Sequence, residues 1–325
     1  MRKMWKKIDA VFRLKSPLHI GYMSFEVFVA SPTRYYVPGR NFWGAITKRI
    51  TEFLYDKPAR DNYKEIGRKV MENFRFSYFY VYDGKTIYFP QYTNKGLVYG
   101  DNNRRITRSE FERRFIRSFV STAIDTTGTA KDKSLHELEF INNNFRDEDG
   151  NVKNTKIIGC IWLKEEAKVN GEKVLLKLNE GIFIKEFNVI EELILGGESK
   201  YGFGHVVMES IKKVEFPNLL PFKCENPERM EIRENEFLPA HLKYKKSLHF
   251  RGNIEPLTGR GYYDPKTLEK YGDRGKGDQE DKNEETKPGK MISFPEYYFS
   301  PGTTIFDDGN FRVKWDGTLE VVENG

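Results

Sequence analysis

One nine-residue stretch carries the strongest chemical signal in this sequence. Gly196-Gly-Glu-Ser-Lys-Tyr-Gly-Phe-Gly204 holds four glycines, which let a backbone turn tightly or approach a ligand closely. Lys200 adds an ammonium group, and Tyr201 and Phe203 add flat aromatic faces. Cations combined with stacking rings are typical of surfaces that bind single-stranded nucleic acid. This glycine-rich loop therefore predicts contacts with a phosphodiester backbone from Gly197, Lys200, Tyr201, Gly202, Phe203 and Gly204.

A purely structural interpretation of the same loop is also available. The run Phe187–Leu195 has the apolar spacing of a helix, and such a helix would take Gly196 as its left-handed C-terminal residue before a strand over 206–208. Nucleotide-binding glycine motifs have the opposite order, because they open a helix after a strand. The spacing therefore argues against an ATP site and leaves the turn and the nucleic-acid interpretations open.

A second anion site is predicted near residue 40. Gly39 lies in a Pro-Gly turn, and Asn41 is predicted to be the N-cap of a helix with an apolar face. Free backbone N–H groups at a helix start, together with the guanidinium of Arg40, suit a phosphate. The opposite side of the helix carries Lys48 and Arg49. A solvated charged face is the alternative for this side and is favoured for Arg49.

The stretch 101–117 concentrates positive charge. It contains six arginines against three acidic residues. Arg104, Arg105 and Arg108 are predicted to lie in a loop rather than inside a helix. Because guanidinium groups at such a density neutralise phosphates, these three arginines are further candidates for nucleic-acid contacts.

Composition limits the class of protein. The chain has 325 residues and a formal net charge of +6, from 54 basic and 48 acidic residues. This length allows two domains, and no apolar run approaches the roughly 18 residues that span a bilayer. The charged start, Met1-Arg-Lys-Met-Trp-Lys-Lys-Ile8, predicts no signal peptide. Cys160 and Cys224 are too few for a disulfide framework and are predicted to be buried, which favours the cytoplasm.

Candidates for acid–base chemistry are few. The five histidines lack the spacing of metal ligands, so neither a metal centre nor a cofactor is predicted. Metal-independent RNA cleavage needs a general acid and a general base near a 2′-hydroxyl group. His19, His205 and Tyr201 are the candidates for these roles. A single histidine beside a strand end, such as His19, is more often a structural residue.

Strands and helices of mixed order are predicted around these residues. Strands are predicted over 7–14, 75–82, 156–162 and 206–214, and helices over 41–54, 63–74 and 187–195. With insertions, this is the βαββαβ order of a ferredoxin-like, RRM-like core, so the predicted fold class is α+β. The core is assigned to 1–216 and a smaller C-terminal appendage to 217–325, with a mobile charged loop around 271–290. A second ferredoxin-like unit in the appendage is one alternative.

Several motifs resemble one family of RNA-binding proteins. Four of them are similar, in this order, to successive signatures of the RAMP superfamily: Ser16-Pro-Leu-His-Ile-Gly21, Tyr36-Val-Pro-Gly-Arg-Asn-Phe-Trp-Gly-Ala-Ile46, the segments 127–130 and 134–139, and the glycine-rich loop. RAMP proteins are the repeat-associated RNA-binding subunits of CRISPR effector complexes. The resemblance implies a ferredoxin-like core that holds guide RNA in a type III CRISPR ribonucleoprotein for antiviral defence. It also implies other complex subunits as partners and no membrane.

The resemblance bears on catalysis as well. Some RAMP subunits present an aspartate in the loop after the first strand and cleave target RNA. In this chain the loop over 21–30 contains no aspartate, and Glu26 is its only acidic residue. The leading hypothesis is therefore a non-catalytic RNA-binding subunit. Gly259-Arg-Gly-Tyr-Tyr263, together with the C-terminal appendage, indicates a subunit at one end of the complex.

Two other functions stay open. The first is a metal-independent CRISPR RNA endoribonuclease that uses the histidine and tyrosine candidates. The second is a protein-only scaffold, in which the basic and aromatic residues bind acidic neighbouring subunits instead of RNA.

Overall fold

The computed structural model describes residues 4–22, 30–122, 124–126, 128–129, 135–212, 221–266 and 291–322. Strands dominate these residues, and helices accompany them, so the predicted α+β class is confirmed. The charged loop predicted around 271–290 lies outside the described residues. Among the residues that the structure does describe, no helix is long and apolar enough to cross a membrane.

The helices are α1 Gly39–Leu54, α2 Arg60–Asn73 and α3 Arg108–Phe115. Helix α1 begins earlier than predicted, because Pro38 and not Asn41 is its N-cap. The fixed φ of proline suits the residue that enters a helix, whereas its missing N–H excludes it from the interior. Asn41 therefore lies in the first turn of α1, and the prediction that it caps the helix is wrong.

Most of the strands are short. In the first half of the chain they are β1 Trp5–Leu14, β2 Ala30–Ser31, β3 Tyr36–Val37, β4 Phe74–Phe76, β5 Phe79–Tyr82, β6 Pro90–Thr93, β7 Gly96–Gly100, β8 Arg105–Thr107, β9 Ile116–Ser121, β10 His136–Ile141, β11 Asn144–Arg146, β12 Val152–Asn154 and β13 Lys156–Lys164. In the second half they are β14 Lys168–Val169, β15 Glu172–Lys177, β16 Gly181–Ile184, β17 Phe187–Asn188, β18 Glu192–Ile194, β19 His205–Lys212, β20 Met230–Ile232, β21 Leu242–Lys243, β22 Phe250–Arg251, β23 Ile254–Leu257, β24 Arg260–Gly261, β25 Met291–Ile292, β26 Glu296–Phe299, β27 Thr304–Ile305, β28 Gly309–Val313 and β29 Leu319–Val321.

A seven-stranded antiparallel sheet forms the centre of the molecule. Its order is β18-β19-β1-β13-β5-β3, and β4 also pairs with β13. Strand β1 pairs with β13 over nearly its whole length, with Ile8 opposite Ile161 and Ala10 opposite Gly159. The predicted strands over 7–14 and 156–162 are confirmed as β1 and β13.

Side chains alternate between the two faces of the central sheet. On one face Ile8, Ala10 and Phe12 belong to the same buried cluster as Phe42 of α1 and Val70 of α2. On the other face Val11, Cys160 and Trp162 pack with Leu242 and Phe299 of the C-terminal strands. Each fully buried large apolar side chain contributes about 1.5–3 kcal/mol of transfer free energy, so both interfaces stabilise the sheet. The molecule therefore has a helix layer, a central sheet and a C-terminal sheet.

The C-terminal sheet has six strands, in the order β20-β28-β29-β21-β26-β23. Strands β28 and β29 form the last hairpin of this sheet, and the chain turns between them at Asp316–Gly317. Gly317 at this turn approaches the start of α1: a Cβ placed on Gly39 would lie 2.8 Å from Gly317 Cα and 2.9 Å from the carbonyl oxygen of Phe76. The last hairpin of the chain thus contacts the first helix.

The prediction of a helix over 187–195 is wrong. This stretch forms β17 and β18 instead, and Glu192 of β18 lies opposite Val207 of β19. Its buried residues, Val189, Ile190, Leu193 and Leu195, fit a helical spacing but belong to the buried cluster that the central sheet shares with α1 and α2. Short apolar runs satisfy both patterns, and pairing with β19 decides between them. Between β13 and β19, where every residue is described, the only helical element is the 3₁₀ turn Ser199–Tyr201.

A buried polar network joins the central and C-terminal sheets. Arg34 Nη1 lies 3.0 Å from Glu255 Oε1, and the two side chains are only 2% and 4% exposed. Tyr36 donates to the same carboxylate over 2.8 Å. His241 Nε2 lies 2.5 Å from Glu255 Oε1, and its Nδ1 lies 2.6 Å from the hydroxyl of Tyr78. Because a carboxylate only accepts, His241 donates through Nε2 and accepts from Tyr78 at Nδ1.

This network makes stability depend on pH. Burial lowers the pKa of His241 below 6.5, despite the nearby carboxylate. Burial alone would raise the pKa of Glu255, but His241 and Arg34 outweigh it and hold that pKa well below its ordinary range. In both cases the unfolded chain binds protons at a higher pH than the folded protein does, so stability falls as pH falls.

We expect the free energy of unfolding, measured by urea denaturation, to be greatest above pH 7. It should decrease below about pH 6.5 through His241 and further below about pH 4.3 through Glu255. His241→Gln removes the proton-binding group and should flatten the profile between pH 7 and 5. An equal slope in this range for the wild type and for His241→Gln would contradict the assignment.

Candidate nucleic-acid interface

A cleft of about 860 Å³ opens beside the start of α1. The glycine-rich loop lines it through Gly196–Ser199, and the segment 257–263 lines it from the C-terminal half of the chain. His19 and Lys48 also line the cleft, as does Arg40 in the first turn of α1. The structure therefore brings together the glycine-rich loop and the α1 candidates, which are about 150 residues apart in sequence.

The glycine-rich loop is held by backbone hydrogen bonds. The N–H of Gly197 donates to the carbonyl oxygen of His19 over 2.9 Å, and the N–H of Gly204 donates to that of Pro17 over 2.8 Å. Gly196 has a φ of 76°, and a Cβ at this position would overlap the carbonyl oxygen of His19. Both the conformation and the close approach require glycine there. The packing of the glycine-rich loop against the segment 17–20 thus explains part of the glycine content of the loop.

The middle of the glycine-rich loop presents its side chains to solvent. Lys200 is exposed, and Tyr201 is 78% exposed. Gly202 has a φ of 83° and nothing near its missing side chain, so it reverses the chain in open space. Phe203 is half-buried, with its ring centroid 5.4 Å from that of Phe140. Lys200 and Tyr201 are therefore accessible to a ligand, whereas Phe203 also has a packing role.

The α1 candidates differ in their surroundings. Gly39 is buried against the turn at Gly317, so packing explains its lack of a side chain. The guanidinium of Arg40 lies against Gly259, and its Nη1 donates to Ser293 Oγ over 3.3 Å. Lys48 is exposed and lies 3.8 Å from Glu52. Such an exposed i,i+4 pair contributes only about 0.3–0.5 kcal/mol, so a phosphate can replace Glu52.

The acid–base candidates are not assembled into one site. His19 is buried beside the cleft, and its Nδ1 lies 2.7 Å from the carbonyl oxygen of Glu139. Because a carbonyl only accepts, Nδ1 carries the proton and Nε2 remains an acceptor. His205 lies on β19, where its Nε2 is 3.2 Å from Glu192, and neither His205 nor Tyr201 lines the cleft. In the described parts of the chain, no group of His, Cys, Asp and Glu could hold a metal ion.

The arginines of 101–117 lie outside the cleft. Arg104 lines a separate groove of about 470 Å³ together with Arg113, Arg114 and Arg117, which we call the arginine groove. Arg104 forms an ion pair with Glu148. Arg108, which starts α3, donates to Glu112 over 2.7 Å. Arg105 lies in β8 and is exposed. Acidic partners already neutralise Arg104 and Arg108, so of the three candidates Arg105 is the most available to a phosphate.

The cleft also contains residues that sequence patterns missed. Arg260 and Tyr262 line it from the C-terminal side, as do Lys266 and the buried Arg34. Lys266 is held by Glu296, with 2.5 Å between Nζ and Oε2. Arg260 and Tyr262 lie in the Gly259–Tyr263 motif. The composition of this motif is evident from the sequence, but its position beside the cleft cannot be predicted from the local sequence pattern. Their position depends on strand pairing in the C-terminal half.

Comparisons with known proteins give structural neighbours only. No protein-family model and no curated protein sequence matches the chain. The chain is similar to a chain of the type III-B Cmr-beta complex bound to cognate target RNA and AMPPnP. The TM-score is 0.45 and the sequence identity is 10%, and the match covers 91% of the present chain and 85% of the Cmr-beta chain. It is also similar to a chain of the Csm3-Csm4 subcomplex in the type III-A CRISPR-Cas interference complex, with a TM-score of 0.36 and 12% identity over 98% and 99% of the two chains.

The chain is similar to subunits of type III CRISPR complexes. A further chain of Cmr-beta, in the apo state, matches 63% of this chain and 97% of its own length, with a TM-score of 0.35. Because TM-scores under 0.5 do not establish a shared fold, the functional conclusion rests on the geometry of the cleft.

Proposed function

We propose that this chain is a non-catalytic RNA-binding subunit of a type III CRISPR ribonucleoprotein, a cytoplasmic complex of antiviral defence. Guide RNA lies along the glycine-rich loop and enters the cleft. One observation carries the proposal: the loop is docked by its backbone on the segment 17–20, yet leaves Lys200 and Tyr201 exposed next to a cleft of about 860 Å³. A loop held by backbone hydrogen bonds, with an exposed cation and an exposed ring, suits an unpaired RNA strand.

The central sheet supports the proposed core. Four strands of this sheet lie side by side in the order β19-β1-β13-β5, and each is antiparallel to its neighbour. If the four are numbered by their order in the sequence, the spatial order is 4-1-3-2. We infer that this is a ferredoxin-like core in which strands β14–β18 replace the second helix. The division into a core over 1–216 and an appendage over 217–325 is part of the same proposal, with the C-terminal sheet covering the face opposite to α1.

Electrostatics and stacking define the expected binding behaviour. Each phosphate neutralised on a single strand contributes a slope of about −0.7 to log affinity against log salt concentration. Stacking of a base on an aromatic ring contributes about 1–3 kcal/mol. Lys200 and Tyr201 together should therefore account for a measurable part of both the salt dependence and the affinity.

Filter binding of labelled CRISPR repeat RNA over a series of salt concentrations tests the proposal. Lys200→Ala with Tyr201→Ala should reduce affinity by about 1–3 kcal/mol and make the salt slope about 0.7 less negative. Lys95→Ala with Tyr297→Ala is the matched control, because these residues are also exposed but belong neither to the glycine-rich loop nor to the lining of the cleft. The absence of salt-sensitive binding by the wild type, alone or with its partner subunits, would favour the protein-only scaffold.

One observation keeps an endoribonuclease as the second candidate. His19 borders the cleft with its Nδ1 proton fixed by Glu139, which leaves Nε2 able to accept a proton from a 2′-hydroxyl group. Single-turnover cleavage of labelled repeat RNA by the wild type, lost in His19→Ala while binding persists, would replace the non-catalytic assignment.

A further inference from the structure

We propose that the segment Gly259–Tyr263 is a nucleotide-binding wall of the cleft, in which Arg260 contacts a phosphate of single-stranded RNA and Tyr262 stacks on a base. Arg40 and Tyr263 are positioning residues that attach this wall to the helices. The inference rests on the proposed RNA-binding function and names the contacts that the C-terminal half supplies to it.

The first attachment of the wall is at Gly259. Its N–H donates to Ser293 Oγ over 2.9 Å, and its carbonyl oxygen accepts from the N–H of Ser293 over 2.9 Å. The next two residues form β24, which pairs with β25, with Arg260 opposite Ile292. The backbone of the wall is therefore fixed by a two-stranded ladder immediately beside the cleft.

Arg40 holds this attachment from the side of α1. Its Nη1 donates to the same Ser293 Oγ, and a Cβ at position 259 would overlap its guanidinium carbon. Burial lowers the pKa of Arg40, although Asp316 and Asp264 act in the opposite direction. The guanidinium thus lies between α1 and the wall, and its geometry serves the protein rather than a phosphate.

Tyr263 holds the other end of the wall on the helices. It is buried, and its hydroxyl donates to the carbonyl oxygen of Tyr63 in α2 over 3.1 Å. The hydroxyl occupies a position that a side chain on Gly67 would overlap. The ring of Trp43 in α1 contacts that of Tyr263 at 6.2 Å between centroids. Glycine at position 67 therefore provides the space into which Tyr263 fits.

Between these two attachments, Arg260 and Tyr262 face the cleft. Arg260 is exposed, and within the described part of the chain no ion pair with an acidic side chain involves it. Tyr262 is half-buried, with its ring 5.9 Å from that of Tyr63 at an angle of 69°. Residues two apart in an extended chain are about 6–7 Å apart, so the cation and the ring can reach the same nucleotide.

The expected ligand is an unpaired strand. In a duplex the bases stack on one another, and their faces are not available to a protein ring. In a single strand each base offers a face to an aromatic side chain while the backbone follows positive charge. This wall supplies the Tyr262 ring and the exposed Arg260 cation, in the same cleft that the glycine-rich loop lines.

The test uses the full chain and a labelled single-stranded oligouridylate of about 20 nucleotides, with fluorescence anisotropy at several salt concentrations. Arg260→Ala should make the salt slope about 0.7 less negative. Tyr262→Ala should weaken binding about 5- to 150-fold, and Tyr262→Phe should restore most of it because the ring remains. Arg233→Ala and Tyr297→Ala are matched controls, since both residues are exposed outside the cleft and should leave affinity unchanged.

Gly259→Ala tests whether the position of the wall matters independently of the charge of Arg260. It removes no charge but displaces Arg40, so it should lower affinity to the level of Arg260→Ala and reduce the salt slope by the same amount. Arg40→Ala with Arg260→Ala should bind no worse than Arg260→Ala alone, because both changes act on one contact. Thermal unfolding confirms that each variant is folded.

Failure of this inference is distinguishable from failure of the proposed function. If the wild type binds RNA with a salt dependence and both Arg260→Ala and Tyr262→Ala match their controls, the wall does not contact RNA and the proposed function stands. If the wild type shows no salt-sensitive binding, the proposed function fails and the wall inference with it.

Discussion

Replacing Glu255 by alanine is expected to lower the free energy of unfolding by about 3–5 kcal/mol, since it breaks a buried ion pair and leaves its partner uncompensated. That partner is Arg34, whose side chain is only 2% exposed. His241 loses the acceptor of its Nε2 proton, and Tyr36 loses the acceptor of its hydroxyl. Because these residues join the central and C-terminal sheets, the loss is expected to weaken the contact between the two sheets.

Urea denaturation of Glu255→Ala and of the wild type measures this effect. Glu320→Ala is the control: Glu320 forms an exposed pair with Arg312, and its loss should change stability by less than about 1 kcal/mol. A double variant, Arg34→Met with Glu255→Leu, removes both charges and should recover part of the stability lost in Glu255→Ala. Equal losses for Glu255→Ala and Glu320→Ala would contradict the account of this network.

Gly196→Ala is expected to have the second largest effect, with a loss of roughly 2–5 kcal/mol in the free energy of unfolding. Alanine disfavours the left-handed conformation at this position, where φ is 76°. Its Cβ would also overlap the carbonyl oxygen of His19, which is a backbone atom and cannot rotate away. The glycine-rich loop must then shift from the segment 17–20, so RNA affinity should fall together with stability.

Gly202→Ala separates the cost of the left-handed conformation from the cost of the steric overlap with His19. Gly202 has a similar φ of 83°, but nothing lies within 4 Å of a Cβ placed there. Only the conformational cost of about 1–2 kcal/mol applies, so Gly202→Ala should be about 1–3 kcal/mol more stable than Gly196→Ala. The measurement is the midpoint of thermal or urea unfolding for the two variants. A loss in Gly202→Ala as large as that in Gly196→Ala would show that the loop is not docked through His19.

The long elements of this fold are readable from local sequence, and its short elements are not. Strand β1 and helix α1 have enough residues for their periodicity to identify them. The stretch Phe187–Leu195 is too short for its periodicity to identify it. Its apolar residues fit a helical spacing, but the stretch forms two short strands, and the second of them pairs with β19. Tertiary pairing overrides local pattern in such short runs.

The cleft shows the same limit. The glycine-rich loop and the start of α1 were both predicted as anion sites from their own residues, and the structure places them around one cleft. The role of Arg40 could not be predicted, because its contacts, Gly259 and Ser293, are more than 200 residues away in sequence. The arginine-rich stretch was predicted from charge density alone, which does not show that Arg104 and Arg108 have acidic partners.

Ultraviolet cross-linking of the assembled complex, followed by mass spectrometry of the peptides that carry RNA, tests the central claim most directly. The account predicts cross-links at Tyr201 in the glycine-rich loop and at Tyr262 in the cleft, both lost as salt concentration rises. Cross-links confined to the arginine groove, or found only between this chain and other proteins, would show that the cleft is not the RNA-binding surface.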